Sequence, residues 1–237
     1  ADLTAAETDV EGELRESKKQ IRRYIPFMPK GMTLGWPYWR SNPAAREIAG
    51  AHYLGARGGG GDISYYSKRP GGIPGATPDE PYRINSMSVR EEYGAKAMIS
   101  RCDEAFDEGG WFLTSFHGID DGRIDRDALG WDPLRIEHFR AALDYIEGKD
   151  FWIATFGEVL RYIEERNSVS VDIEEYGREA VSFVAEDGLD DEVFCMPLSI
   201  EITLPAGWEE VTVHRRGFPV LHERAENGRV SFDVYPD

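Results

Sequence analysis

The chain has 237 residues, 41% hydrophobic and 12% aromatic, and a formal net charge of -17 at pH 7. That is enough apolar material for one large domain or a domain plus a smaller module, and it excludes the disordered and fibrous classes. The acidic balance sets aside nucleic-acid backbones and anionic membranes as default partners, because like charges repel; it fits neutral or cationic ligands, and a saline habitat would leave the same bias.

No window is long and apolar enough to predict a transmembrane helix. The opening ADLTAAETDVEGELRES carries neither the basic n-region nor the apolar h-region of a signal peptide. Two cysteines, Cys102 and Cys195, make no disulfide framework and no metal knot, and they pair only if the fold brings them together. There is no internal repeat at a solenoid or propeller period.

In chain order, a helix is predicted over Glu11 to Tyr24, with Leu14, Ile21 and Ile25 on one face, acids at its start and Lys18, Lys19, Arg22 and Arg23 near its end. GMTLGWPYWR reads as a short buried strand running into an aromatic, proline-broken loop. Ser41-Asn42-Pro43 starts a helix to about Tyr53, with Pro43 where its missing N–H costs nothing. YLGARGGGGDISYY reads as a strand ending in a glycine-rich loop. The run Gly58 to Gly61 matches neither the P-loop nor the dinucleotide spacing, which favours a rim loop, and a loop is expected over residues 67 to 86.

Ser88 to Glu91 has the spacing of a capping box, opening a helix with Ala95, Met98, Ile99, Cys102 and Ala105 inward and Gly109-Gly110 at its end. WFLTSF is the next strand. Ile136, Phe139, Leu143 and Ile146 set another helix, FWIA reads as a brief strand, and Thr155 to Glu158 opens a last helix. This alternation predicts an α/β domain with parallel strands. Beyond Asn167 the texture changes to short alternating segments with turns at Asp187-Gly188, Ala206-Gly207 and Asn227-Gly228, which predicts a small antiparallel β module. The expected domains are therefore 1–167 and 168–237.

His117 follows a predicted strand, and the strand C-terminal ends of such domains are where sites assemble. A histidine that merely caps a strand fits that position equally well. Asp120, Asp121, Asp125, Asp127 and Asp132 match the EF-hand template only in part and lack its closing glutamate, so a solvated acidic loop is the better reading. Trp36, Tyr38, Trp39, Trp111 and Trp131 read as core and loop packing, or as flat faces for pyranose rings, with Trp36 and Trp39 beside Pro37 tilting toward ligand contact. No two histidines lie three to five residues apart, and there is no nucleophile elbow.

Residues 110 to 166, GWFLTSFHGIDDGRIDRDALGWDPLRIEHFRAALDYIEGKDFWIATFGEVLRYIEER, resemble the C-terminal half of a polysaccharide deacetylase domain of the NodB-homology type. ELRESKKQIRRYIP resembles the helix after that family's histidine motif, TLGWPYWR occupies the place of its third motif, and HYLGARGG that of its Y-x-x-A-R strand. MPLSIEITLPAGWEEVTV is similar to the β module that often follows. The resemblance implies an incomplete (β/α)7-type deacetylase barrel followed by a small antiparallel β module. It implies hydrolysis of acetyl groups on a polysaccharide or oligosaccharide, assisted by zinc or a similar divalent metal held by one aspartate and two histidines.

On that mapping His117 is the general acid, Leu113 and Trp131 help form the acetyl and sugar pocket, and Trp36, Tyr38, Trp39 and Arg57 contact substrate. The family's Asp-Asp-Gly strand and His-x-x-x-His pair, which belong before the first helix, are not in this sequence, so no metal ligand is assigned to this chain. The expectation is a part of a longer deacetylase, secreted or in the cell envelope, completed by an N-terminal segment or a second chain. The alternative is a non-catalytic carbohydrate-binding or interaction protein derived from that fold.

Overall fold

The structure, a computed structural model, describes residues 2–58 and 74–236; Gly59 to Gly61 of the glycine run and residues 67–73 of the loop after it lie outside the described residues. By internal contacts the chain divides into two compact units, Ala1–Gly157 and Glu158–Asp237. The division precedes Asn167, where the change of texture put it, so the helix at the junction falls mostly in the second unit.

In the first unit, α1 (Val10–Tyr24) is capped by Asp9, whose carboxylate accepts from the Gly12 N–H at 3.0 Å. Its apolar face buries Leu14 in a core with Leu3, Met32, Trp36, Ala45, Ala49, Tyr53 and Ala56. After β1 (Leu34–Gly35), Asn42 caps α2 (Pro43–Gly50) by accepting from Ala45 N at 2.8 Å, with Pro43 in the first turn. β2 (Ala56–Arg57) pairs with β1 in parallel, Gly35 opposite Arg57, and a parallel bridge from Arg57 to Ile84 carries the ladder onward.

β3 (Met87–Ser88) leads to α3 (Gly94–Glu108), which ends at Gly109 in the left-handed region (φ 62°), with Gly110 N donating to Ala105 O at 2.8 Å. β4 (Thr114–Ser115) returns parallel to β3, and β5 (Ile119–Asp120) pairs in parallel with β6 (Leu134–Arg135), just ahead of α4 (Ile136–Glu147). The second core, Met87, Val89, Met98, Leu134 and Ala142, is lined by Phe112, Phe116 and Phe139. It joins the strands to α3 and α4, with Phe116 and Phe139 edge to face at 5.5 Å.

Two local expectations are corrected. The third helix begins at Gly94, because Ser88 belongs to β3 and the Glu91 carboxylate is bound by Arg135 instead of closing a capping box. FWIA is not a strand, and residues 151–154 run as irregular backbone. Every strand pair among the described residues of this unit is parallel. No closed barrel is formed by these three pairs of two residues each. No helix among the described residues is long and apolar enough to cross a membrane.

The second unit begins with α5 (Phe156–Ser168) and continues as three antiparallel ribbons. They are β7 (Ser170–Tyr176) with β8 (Val181–Glu186), β9 (Leu198–Thr203) with β12 (Arg229–Val234), and β10 (Glu210–Arg215) with β11 (Phe218–Arg224). Leu204, Val211 and Val230 form its core, with Ile202, Trp208, Ala225 and Phe232 packed on them. The Asn227-Gly228 turn has both residues left-handed (φ 53° and 74°), the hairpin chemistry the dipeptide predicts. Cys102 is buried, Cys195 is exposed, and both are free thiols.

Glu165 of α5 is 1% exposed, and both its carboxylate oxygens accept from the Met196 N–H, at 2.9 and 2.8 Å. Burial pushes its pKa up, against the pull of the Met196 hydrogen bond. A carboxyl that holds its proton more tightly when folded makes stability fall as pH rises from the ordinary carboxylate range through the raised value. Glu165→Gln keeps an acceptor for Met196, so it should remove that decline at little other cost. Glu165→Leu leaves the amide unpaired and should cost about 1–3 kcal/mol. Thermal melts between about pH 4 and pH 8 check both.

Candidate functional site

Parallel strands of an α/β unit gather their following loops at one end, and His117, Trp131, Trp36, Tyr38 and Trp39 lie in such loops, while Arg57 ends β2 and Leu113 precedes β4. Phe116 and His117 follow β4, residues Val89 to Tyr93 follow β3, and the long acidic loop follows β5. His117 is exposed, and its imidazole meets the Trp131 indole edge to face, with ring centroids 5.3 Å apart at 83°. A cation reaches the same indole from the loop after β3, where the Arg90 guanidinium sits 4.7 Å from the ring centroid. Trp131 itself is 42% exposed, so these contacts orient it without burying it.

Glycines make this approach possible. A Cβ on Gly118 would lie 2.5 Å from Leu129 O, so only glycine lets the loop fold back beside His117. On either side of Trp131, Gly130 (φ 95°) and Asp132 (φ 49°) are left-handed and turn the indole onto the histidine. The spacing from His117-Gly118 to Gly130-Trp131 thus encodes one contact.

Beneath this pair, Glu91 ties the β3 loop to β6. Its Oε2 accepts from Arg135 N at 2.8 Å, its Oε1 accepts from Arg135 Nε, and His138 Nε2 lies 3.5 Å from the same oxygen. Desolvation pushes the Glu91 carboxyl up, but the hydrogen bonds from Arg135 outweigh it and hold the pKa below the ordinary value. Sequence reading missed Arg90, Glu91, Arg135 and His138 as members of this assembly. The only available signal was Glu91, and its spacing from Ser88 pointed to a helix cap.

The aspartates of the loop are engaged locally. Asp120 accepts from Gly122 N at 3.0 Å and from Arg126 Nη1 at 2.8 Å, and these bonds lower its pKa. Asp121 and Asp125 accept from Arg123 N and Asp127 N, both at 3.1 Å. Among the described residues no group of three or more His, Cys, Asp or Glu is placed to hold a metal ion. The described residues therefore do not fit a zinc centre, and no step is derived through one.

The remaining expected contacts separate. Leu113 is half-buried, and its carbonyl accepts from Met87 N at 2.8 Å. Trp36 is a correction: it is 2% exposed, its Nε1 donates to Tyr82 O at 2.7 Å, and it offers no face to a sugar. Tyr38, by contrast, is 63% exposed. Trp39 lies over Gly58, where an added Cβ would be 3.4 Å from the Trp39 Cα, and the Arg57 guanidinium lies over Gly35. The structure thus brings His117 to Trp131, and places Trp39 and Arg57 together at the end of the neighbouring β1–β2 pair.

A gellan lyase from Bacillus sp is 20% identical to this chain over 202 residues, which cover 81% of the chain. The chain spans 8% of the length of that protein. No family model matches the chain, and no solved structure matches it.

Glu91→Gln should loosen the join between the β3 loop and β6 by about 1–2 kcal/mol, measured by urea unfolding at neutral pH. Because the folded carboxyl lies below its ordinary value, its contribution is present above the ordinary carboxylate range and is lost as pH falls through the folded value. The wild-type advantage over Glu91→Gln should therefore shrink on acidification.

Proposed function

We propose that this chain is the glycan-contacting part of a polysaccharide-active protein, and that its contact surface is the strand-end rim of the first unit. The observation that carries this is the exposed His117–Trp131 pair with Arg90 over the indole, an imidazole beside a flat aromatic face. The relation to a gellan lyase supports a polysaccharide as the partner, while the lyase chemistry in that name differs from hydrolysis.

The finer reading is a metal-dependent polysaccharide deacetylase with His117 as general acid, resting on the resemblance of residues 110 to 166 to that family. In it, His117 gives its proton to the amine nitrogen or alkoxide oxygen that leaves the acetyl carbon, and regains one from solvent, to which it is open. Trp131 holds the imidazole in place and, being 42% exposed, is open to contact with the sugar. On this reading the zinc ligands, and the strands that would complete a (β/α)7-type barrel, would be supplied by a further segment or a second chain. A secreted or cell-envelope location follows from the substrate. The second reading, a carbohydrate-binding protein without catalysis, is favoured by the exposed rings of Tyr38 and Trp131, which suit binding whether or not acetate is released.

Acetate release from an acetylated polysaccharide by the full-length protein separates the two. His117→Ala should lower the rate by on the order of a hundredfold or more while glycan binding persists. An unchanged rate would remove His117 from the chemistry. Trp131→Ala should weaken binding of the glycan, read by titration calorimetry, and a chain that binds no glycan at all would overturn the broader reading.

A further inference from the structure

We propose that the basic face of α1 and the aromatic turn after it bind a carboxylated polysaccharide chain, so that the glycan met by this protein is acidic. The inference rests on the glycan reading above and adds the substrate class, at a surface that includes neither His117 nor Trp131. In α1 the exposed residues Arg15, Lys19, Arg22 and Arg23 follow at steps of four, three and one, which a 3.6-residue period places on a single face. Val10, Leu14 and Ile21 turn another side of the helix to the core. Lys18 stands apart from the stripe, its Nζ donating to the His52 carbonyl.

The sign of this face is local. Residues 15 to 30 hold six cations and one acid, Glu16, in a chain where 44 acids outnumber 27 bases. The helix dipole accounts for cations in the last turn, here Arg22 and Arg23, but its reach ends within that turn. Arg15 and Lys19 lie earlier, so the dipole leaves them unexplained. Lys19 pairs with Glu16 across 3.4 Å while 74% exposed, which keeps its charge open to an arriving ligand.

The stripe runs into a built aromatic turn. Ile25 N donates to Ile21 O at 2.8 Å and Met28 N to Ile25 O at 3.0 Å, with Pro26 and Pro29 fixing the backbone around Phe27. Met28 packs against the core, while Tyr24 is 76% and Phe27 86% exposed. The Arg23 guanidinium lies 5.8 Å from the Tyr24 ring centroid and joins the stripe to the turn. Flat rings suit the apolar faces of pyranose units, and the cations suit carboxylates. A single flexible chain follows such a stripe without meeting the acidic remainder of the protein, whereas a flat anionic membrane meets both.

The test titrates the full chain with a hexuronic-acid oligosaccharide and with the same oligosaccharide after carboxyl reduction. A single-stranded oligonucleotide and phosphatidylserine–phosphatidylcholine vesicles are the competing occupants. At low salt, wild type should bind the acidic ligand at least about tenfold more tightly than the reduced one, the size of one charge-assisted contact. The difference should vanish near 1 M salt, where the Debye length is about 3 Å. The combined Arg15→Gln, Lys19→Gln, Arg22→Gln and Arg23→Gln variant should bind both oligosaccharides equally, and Gln, close to Arg and Lys in helix propensity, keeps α1 in place. Should that variant melt early, Arg15→Gln alone decides, with an expected loss of about twofold in the preference. Phe27→Ala should weaken both oligosaccharides severalfold and melt as wild type does. Trp131→Ala should keep the acid preference.

Equal binding of the acidic and reduced ligands by wild type at low salt, or an undiminished preference in the stripe variants, overturns the surface and leaves the glycan reading standing. Loss of the preference in Trp131→Ala moves it to the rim and overturns the inference as well. Unchanged affinity in Phe27→Ala overturns the part given to the aromatic turn. Tighter binding of the oligonucleotide or the vesicles than of the acidic oligosaccharide overturns the glycan as the occupant. If neither oligosaccharide binds, the glycan reading fails first and this inference with it.

Discussion

Each parallel strand pair in the first unit is two residues long, too short for ladder hydrogen bonds to fix its loops. For the loop after β3, the join is made by Glu91. One carboxylate holds the Arg135 backbone and side chain and lies beside His138, so the loop after β3 and the start of α4 cannot drift apart. Arg90, its neighbour in sequence, is thereby aimed at Trp131, which in turn sets the edge of His117. A partly exposed ion pair thus joins the core formed by Met87, Val89 and Leu134 to an exposed histidine.

The two rim clusters differ in kind. Around His117 the charges are matched: Glu91 has Arg135, Asp120 has Arg126, and the indole has a cation. At Arg57 one nitrogen, Nη1, is buried with no hydrogen-bond partner among the described residues. A satisfied cluster is suited to holding a group in a fixed attitude, and an unsatisfied one to gaining energy when something arrives.

Much of the helical frame was legible in the sequence, because caps and periodicity are local signals. Asn42-Pro43 and Gly109-Gly110 mark helix ends where backbone geometry requires them. The capping box at Ser88 misled, since a tertiary partner, Arg135, outcompeted the local N–H for the Glu91 carboxylate. β5 and β6 escaped notice because two residues carry no alternation to read. β11 was hidden by Pro219, which sits where its ladder slips beside Val213 and His214. At the site, His117 and Trp131 were legible as residue types at a strand end, but their contact depends on Gly118 approaching Leu129, which no linear pattern displays. Trp36 and Trp39 look alike in sequence, and only packing separates the buried one from the rim.

The three ribbons of the second unit have a consequence for how these molecules meet one another. Each ribbon has two strands, so every strand leaves a line of backbone donors and acceptors open on its outer side. Such edges recruit strands from neighbouring molecules unless something repels them. Along β7 the guard is visible: Asp172, Glu174 and Glu175 alternate with exposed Val171 and Ile173. The acidity that argued against nucleic acids therefore has a second physical role, as the barrier to edge-to-edge association.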